Sequence, residues 1–239
     1  MNKTKIEWCD YVINPIKGLC PVGCSYCYAR RMYKRFKWNP KIEFAPQVFD
    51  DVEKIKKPSR IFVGSTMELF GDYFDENWTE YCLLTAKKKF PQHTFIFLTK
   101  RPENLAKWSP FPDNCWVGVS ATDYKQYGNV LQYFPDIKAK VKFVSFEPLL
   151  TRINVVERLE GINWLLIGQQ TPASVKTIPK VEWVQEIVQA ADTAGAPVFL
   201  KNNLRAVFAN NKNPSDYIYP LWAQDSRCQL RQEFPEVSA

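Results

Sequence analysis

The segment Gly18-Leu-Cys20-Pro-Val-Gly-Cys24-Ser-Tyr-Cys27-Tyr-Ala-Arg-Arg31 places three cysteines in C-x3-C-x2-C spacing. Tyr26 directly precedes the third, and a basic run follows it. Soft sulfur donors this close together favour zinc, copper(I) or iron–sulfur clusters. A closed structural zinc site uses four protein ligands, so a set of three leaves one metal position open.

Hydrophobic periodicity places that loop in an alternating α/β pattern. Ile6–Ile13 reads as a first strand. Asn14-Pro-Ile-Lys-Gly18 breaks it, and the cysteine loop follows. Ser25 to Lys37 has no Gly or Pro and carries Tyr28, Met32, Tyr33 and Phe36 at helical spacing, so the third cysteine opens a helix. Backbone N–H groups and the positive end of the helix macrodipole stabilise sulfur anions there. The spacing then predicts an extended piece after Pro40 and a helix at Pro46–Lys56. A second helix runs from an Asp75 cap to Lys89, with Trp78, Tyr81, Cys82 and Thr85 on one face. Another runs over Val181–Thr193, with Val184, Ile187, Val188 and Ala191 inward and Gly195 as its stop. Further strands are expected at Arg60–Gly64, His93–Thr99, Cys115–Val119, Val141–Phe146, Asn163–Gly168 and Pro197–Lys201. Seven strands alternating with helices imply βα units and a parallel sheet. Polar clusters follow the strand ends at Ser65-Thr66-Met-Glu68, Thr99-Lys100-Arg101, Ser120, Glu147-Pro148 and Gln169-Gln170. Ligands of α/β folds bind at that edge, so a shared site is expected there. No internal repeat or linker is visible. One domain over residues 1–204 is expected, with 205–239 a polar, partly irregular extension packed on it.

The chain has 239 residues, 46% of them hydrophobic, enough for one sizeable core. No apolar run is long enough to span a bilayer, and the first residues lack the apolar core of a signal peptide. Seven cysteines, an odd number without an export signal, argue against a disulfide framework and for a reducing cytoplasm. Cys9, Cys82, Cys115 and Cys228 read as small buried apolar residues. The net charge is +7, and residues 1–40 hold eight Lys/Arg against Glu7 and Asp10, so six of the seven net charges lie beside the cysteine loop. Such a patch suits nucleic acid or another anion, a solvated helix face being the plainer reading. One histidine leaves no room for a serine–histidine–carboxylate arrangement, and no glycine-rich phosphate loop occurs.

Cys20, Cys24, Tyr26 and Cys27 match the signature of radical S-adenosylmethionine (radical SAM) enzymes. Around them, Thr4-Lys-Ile-Glu-Trp8, Asn14-Pro-Ile-Lys-Gly18 and Gly23–Ala29 resemble a small phage-associated radical-SAM-like family. The likeness continues in Phe62–Gly71, His93–Pro102, Trp116–Ser120 and Ser145–Leu149, to about residue 204. A more distant relative by spacing is spore photoproduct lyase. The resemblance implies a partial (β/α) TIM-type barrel with a radical SAM core. It implies a 4Fe-4S cluster on Cys20, Cys24 and Cys27, whose fourth iron chelates S-adenosyl-L-methionine. Reductive cleavage would then yield a 5′-deoxyadenosyl radical that abstracts a substrate hydrogen, with an external flavodoxin- or ferredoxin-type electron donor. The protein's task is orientation and exclusion of side reactions.

By the same resemblance Tyr26 lies near the adenine, Ser65, Thr66 and Glu68 near the methionine amino group, and Lys100 near its carboxylate. Ser120 and Glu147 are expected at the cofactor too, Glu147 being open to a substrate role. Plainer roles stand beside each: Tyr26 as a cover, Glu68 as a cap, Lys100 as surface charge. The related family tends to have Gly-Gly-Glu-Ser-Gly where this chain has Gly168-Gln-Gln-Thr-Pro172. It tends to have Lys-Gln-Trp-Gly where this chain has Lys201-Asn-Asn-Leu204. Gln170 and Lys201 are therefore substrate candidates, with Arg30 and Arg31 of the basic helix, and nucleic acid or a nucleotide is the favoured substrate. A zinc-containing nucleic-acid-binding module without radical chemistry, with Cys9 as fourth ligand, is the alternative.

Overall fold

The computed structural model describes residues 3–155, 159–208 and 219–236. Its strands are β1 (Tyr11–Ile13), β2 (Ile16–Lys17), β3 (Glu43–Phe44), β4 (Arg60–Val63), β5 (Thr94–Thr99), β6 (Cys115–Ser120), β7 (Lys142–Phe146), β8 (Trp164–Ile167) and β9 (Val198–Leu200). The α-helices are α1 (Tyr28–Phe36), α2 (Asn77–Lys89), α3 (Tyr124–Tyr133), α4 (Val181–Ala194) and α5 (Arg205–Phe208). Seven strands form one sheet in the order β1-β4-β5-β6-β7-β8-β9. The β1–β4, β4–β5, β7–β8 and β8–β9 ladders are parallel. All seven expected strands are present, within two residues at most boundaries; β1 is shorter, only its last three residues pairing. The chain divides into two compact units, 1–118 with 136–140 and 119–135 with 141–239, the line falling within β6.

In the first unit the strands are near-continuous apolar runs. Ile61, Val63 and Phe95 to Phe97 are all but sealed from solvent, as strands covered on both faces should be. Cys9, Cys82 and Cys115 are buried among them. Gly18 (φ +114) closes the turn after β2, where a Cβ would meet the Lys41 carbonyl at 2.6 Å. This brings β3 antiparallel to β2, a two-stranded ribbon absent from the sequence reading.

Two helices of this unit differ from expectation. Pro46–Lys54 is a 3-10 helix rather than an α-helix. Its buried residues Phe49, Val52 and the following Ile55 recur every third position, the period at which 3-10 side chains eclipse. In α2 the buried face is Thr79, Cys82, Leu83, Thr85 and Ala86, not Trp78 and Tyr81. Those two rings turn to a half-exposed cluster, Phe44 lying 5.3 Å from each. Asp75 is not the N-cap: that position falls to Glu76, whose side chain makes no cap bond, while the Asp75 carboxylate accepts the N–H of Asn77, the first helical residue, at 3.0 Å.

In the second unit, β7, β8 and β9 lie side by side, and α4 buries Val184, Ile187, Val188 and Ala191 as its spacing requires. Gly195 (φ +66) ends it in the left-handed region. Residues 230–235 were expected as an irregular tail, yet they run along the free edge of β9. Leu200 N–H donates to Arg231 O at 2.8 Å and Glu233 N–H to Val198 O at 3.0 Å. Arg231 pairs with Asp192 of α4 and with Glu233, while Phe234 rests 5.4 and 5.3 Å from Trp164 and Phe199. A bare edge strand invites pairing with other chains, and this segment covers it. Cys228 departs from the expected burial: it is exposed, in the turn where its N–H donates to Asp225 O. The expected irregular stretch Asn210–Asp216 lies outside the described residues. Among the described residues no helix is long and apolar enough to cross a membrane.

Candidate functional site

In the first unit, Cys20, Cys24 and Cys27 are half-buried free thiols. They line one pocket with Gly23, Arg30, Tyr33 and Thr66. Cys27 is the N-cap of α1: its sulfur accepts the Arg30 N–H at 3.4 Å. Burial pushes the Cys20 thiol above its usual range, while backbone N–H groups of Val22 and Glu68 that reach its sulfur pull the other way. The Glu68 carboxylate and Cys24 add repulsion. An amide N–H thus already meets the Cys27 sulfur. Among the described residues no three His, Cys, Asp or Glu side chains converge into a ready-made metal cage. Cys9 is buried outside this pocket, its thiol 4.0 Å from the Ile6 carbonyl.

Helix α1 also ties the loop down. The Tyr33 hydroxyl accepts the Gly18 N–H at 2.8 Å. The Arg30 guanidinium donates to the Cys20 carbonyl at 2.7 Å, so this substrate candidate braces the loop instead. Arg31 is exposed.

The polar residues after β4 are held by a residue the sequence reading treated only as a turn. The Asn14 amide oxygen accepts from the Ser65 hydroxyl, the Thr66 N–H and the Thr66 hydroxyl at 3.1–3.2 Å. The available signal was its place at the end of β1, before a proline. Glu68 is buried and well supplied with donors. One oxygen accepts from the Thr99 hydroxyl at 2.6 Å and the Phe70 N–H at 3.1 Å, and the other accepts the Lys100 N–H at 2.8 Å. The Lys100 ammonium stands 6.0 Å from the Tyr26 ring centre, a cation–π approach.

The second unit carries its own strand-end cluster. Pairing of Phe146 with Ile167 and of Ile167 with Leu200 puts the next residues, Glu147, Gly168 and Lys201, on one common face. There the Lys201 ammonium pairs with the Glu147 carboxylate, both side chains largely buried at 15% and 24% exposure. Gly168 makes the space: a Cβ would lie 3.0 Å from Lys201 Cδ and 3.3 Å from Glu147 Cγ. Ser145, two residues before Glu147, is fully buried, and its hydroxyl has no hydrogen-bond partner among the described residues. Gln169 and Asn203 clasp each other through backbone and amide groups. Among the described residues Gln170 reaches only the Pro172 carbonyl, at 3.4 Å. Ser120 ends β6 and is buried. Ser145 and Asn203 escaped the sequence reading. A serine inside an otherwise apolar buried strand was the one signal for the first.

Fold and clusters together define an α/β protein with a parallel sheet and a three-cysteine loop after its first strand. The chain belongs to the DUF5131 family, described as a protein of unknown function, whose model matches residues 3–213. Neither the curated proteins nor the solved structures contain a match to it.

Proposed function

We propose that this chain is a radical SAM enzyme. The observation that carries the reading is the pocket shared by Cys20, Cys24 and Cys27 at the N-terminus of α1. The donor set suits a 4Fe-4S cluster: three soft thiols, half-buried, with the Arg30 N–H donating to the Cys27 sulfur. Hydrogen bonds to the sulfurs and partial burial are what tune such clusters. Bound there, the cluster would supply on reduction the electron that cleaves the sulfonium of S-adenosyl-L-methionine.

The chain's own residues do the rest. Cys20, Cys24 and Cys27 would hold such a cluster through their three thiolates. Tyr26 and Lys100 offer an aromatic face and a cation close together, suited to an adenine and a carboxylate. Asn14 fixes the Ser65 and Thr66 hydroxyls, and Glu68 keeps acceptor capacity on the oxygen that, among the described residues, takes the Lys100 N–H alone. A carboxylate there favours an ammonium group. In the second unit, taken by itself, Gln170 stands as the substrate candidate, and the Glu147–Lys201 pair holds fixed charge at the strand ends. The strand order, in which each strand of the main sheet neighbours the next in the chain, supports a partial (β/α) barrel. The reading calls for an external flavodoxin- or ferredoxin-type donor and a reducing, cytoplasmic setting, and nucleic acid is its favoured substrate.

The test is anaerobic incubation of the reconstituted chain with dithionite and S-adenosyl-L-methionine. Formation of 5′-deoxyadenosine, absent in Cys24→Ala, is expected. An intact cluster that forms none would overturn the proposal.

A further inference from the structure

The geometry points to the C-terminal end of α1 as a docking surface for single-stranded nucleic acid. From Tyr28 to Lys41 the chain carries six lysines and arginines and no acidic residue. Arg30 turns inward to the Cys20 carbonyl, and Lys41 lies 3.5 Å from Glu43. Arg31, Lys34, Arg35 and Lys37 are exposed.

Among these cations, Phe36 and Trp38 are 52% and 44% exposed and stack on each other, with centres 5.5 Å apart and planes 24° from parallel. The Arg35 guanidinium lies 5.3 Å from the Phe36 centre. A left-handed turn at Lys37 (φ 52) makes the stack possible. It lets the N–H groups of Lys37 and Trp38 both donate to the Tyr33 carbonyl. The Tyr33 ring then holds Trp38 edge-on at 5.3 Å. A non-glycine residue in that region is strained. Here it ends α1 in an αL cap, and the same turn sets the Trp38 ring beside Phe36.

Complementing the helix macrodipole explains Lys34 and Arg35, but not the exposed stack. Bases of a single strand stack on aromatic faces while its phosphates meet cations, and this surface offers both. A duplex hides its base faces. A membrane-surface helix would present a broad apolar face along its length, and the large exposed apolar residues of this segment are three: Tyr28, Phe36 and Trp38. This inference deepens the proposed function by naming a substrate class. It rests on that reading only in calling the polymer a substrate, since binding needs no cluster.

Fluorescence anisotropy of a labelled oligothymidylate, titrated with the full chain over a range of salt, tests it. A same-length duplex and phosphatidylglycerol vesicles run alongside. The single strand should bind tightest, and Trp38→Ala should weaken it roughly fivefold to a hundredfold. Trp38→Phe, which keeps a stacking face and the local fold, should retain most of the affinity. Lys34→Gln and Arg35→Gln should each flatten the salt dependence by about 0.7 in log–log slope. Unchanged affinity in Trp38→Ala, or preference for duplex or vesicles, would overturn the proposal. Single-strand binding by a chain that forms no 5′-deoxyadenosine supports this surface and counts only against the catalytic reading.

Discussion

Glu68 shows how one side chain can serve the fold and still face a candidate site. Its carboxylate joins the loop after β4 to the end of β5 through Thr99, Phe70 and Lys100. Removing it strands three buried or half-buried donors, each worth about 1–3 kcal/mol when left unmade. Glu68→Ala should therefore lower stability by about 2–4 kcal/mol in urea unfolding of the metal-free chain. Glu68→Gln should cost less, because its carbonyl oxygen still accepts from Thr99 while its NH2 group opposes the Lys100 N–H. A metal-free Glu68→Ala chain as stable as the parent would mean that the carboxylate serves a ligand alone. The same scale separates Arg30 from Arg31. Both belong to one basic run; the Arg30 guanidinium donates to the Cys20 carbonyl, while Arg31 is exposed.

At the scale of elements, α2 and β6 each bury a thiol. Burial pushes Cys82 and Cys115 up to about 12 from an ordinary 9.0. The sign follows from proton counting. Above the ordinary value the unfolded chain loses these protons while the folded chain keeps them, so stability falls as pH rises from about 9 towards 12. Each pH unit in that window costs about 1.4 kcal/mol per thiol. Urea midpoints should drop between pH 8 and pH 10.5, and the Cys82→Ala, Cys115→Ala double variant should flatten the drop. An identical slope in the variant would contradict the burial of these thiols. Elements were also the most legible level of the sequence. Runs such as Phe95-Ile-Phe97 and Trp164-Leu-Leu-Ile167, short and bounded by turn residues, read as buried strands, and the spacing of Val184, Ile187, Val188 and Ala191 reads as a helix face. The 3-10 form of Pro46–Lys54 was less visible, since it follows from three apolar residues at intervals of three that an α-helix reading also tolerates.

Across the whole molecule, the cysteine loop and the strand-end polar residues were legible because they are marked by residue type and by position after apolar runs. Their partners were not, because these come from distant parts of the chain. Asn14 meets Ser65 and Thr66 fifty residues on, Lys201 meets Glu147 across a comparable gap, and the Trp164 indole donates to Glu233 sixty-nine residues later. The tail could be recognised as polar, but nothing local in it announces an edge cover for β9. The concentration of positive charge in the first forty residues places the basic surface and the three thiols in the same unit. The central claim is that those thiols hold an iron–sulfur cluster. Iron, sulfide and zinc content after anaerobic reconstitution, compared between the parent chain and Cys24→Ala, tests it most directly. The account predicts about four irons and four sulfides per parent chain and loss of both in the variant. Zinc without sulfide in the parent, or full iron retained by Cys24→Ala, would contradict it.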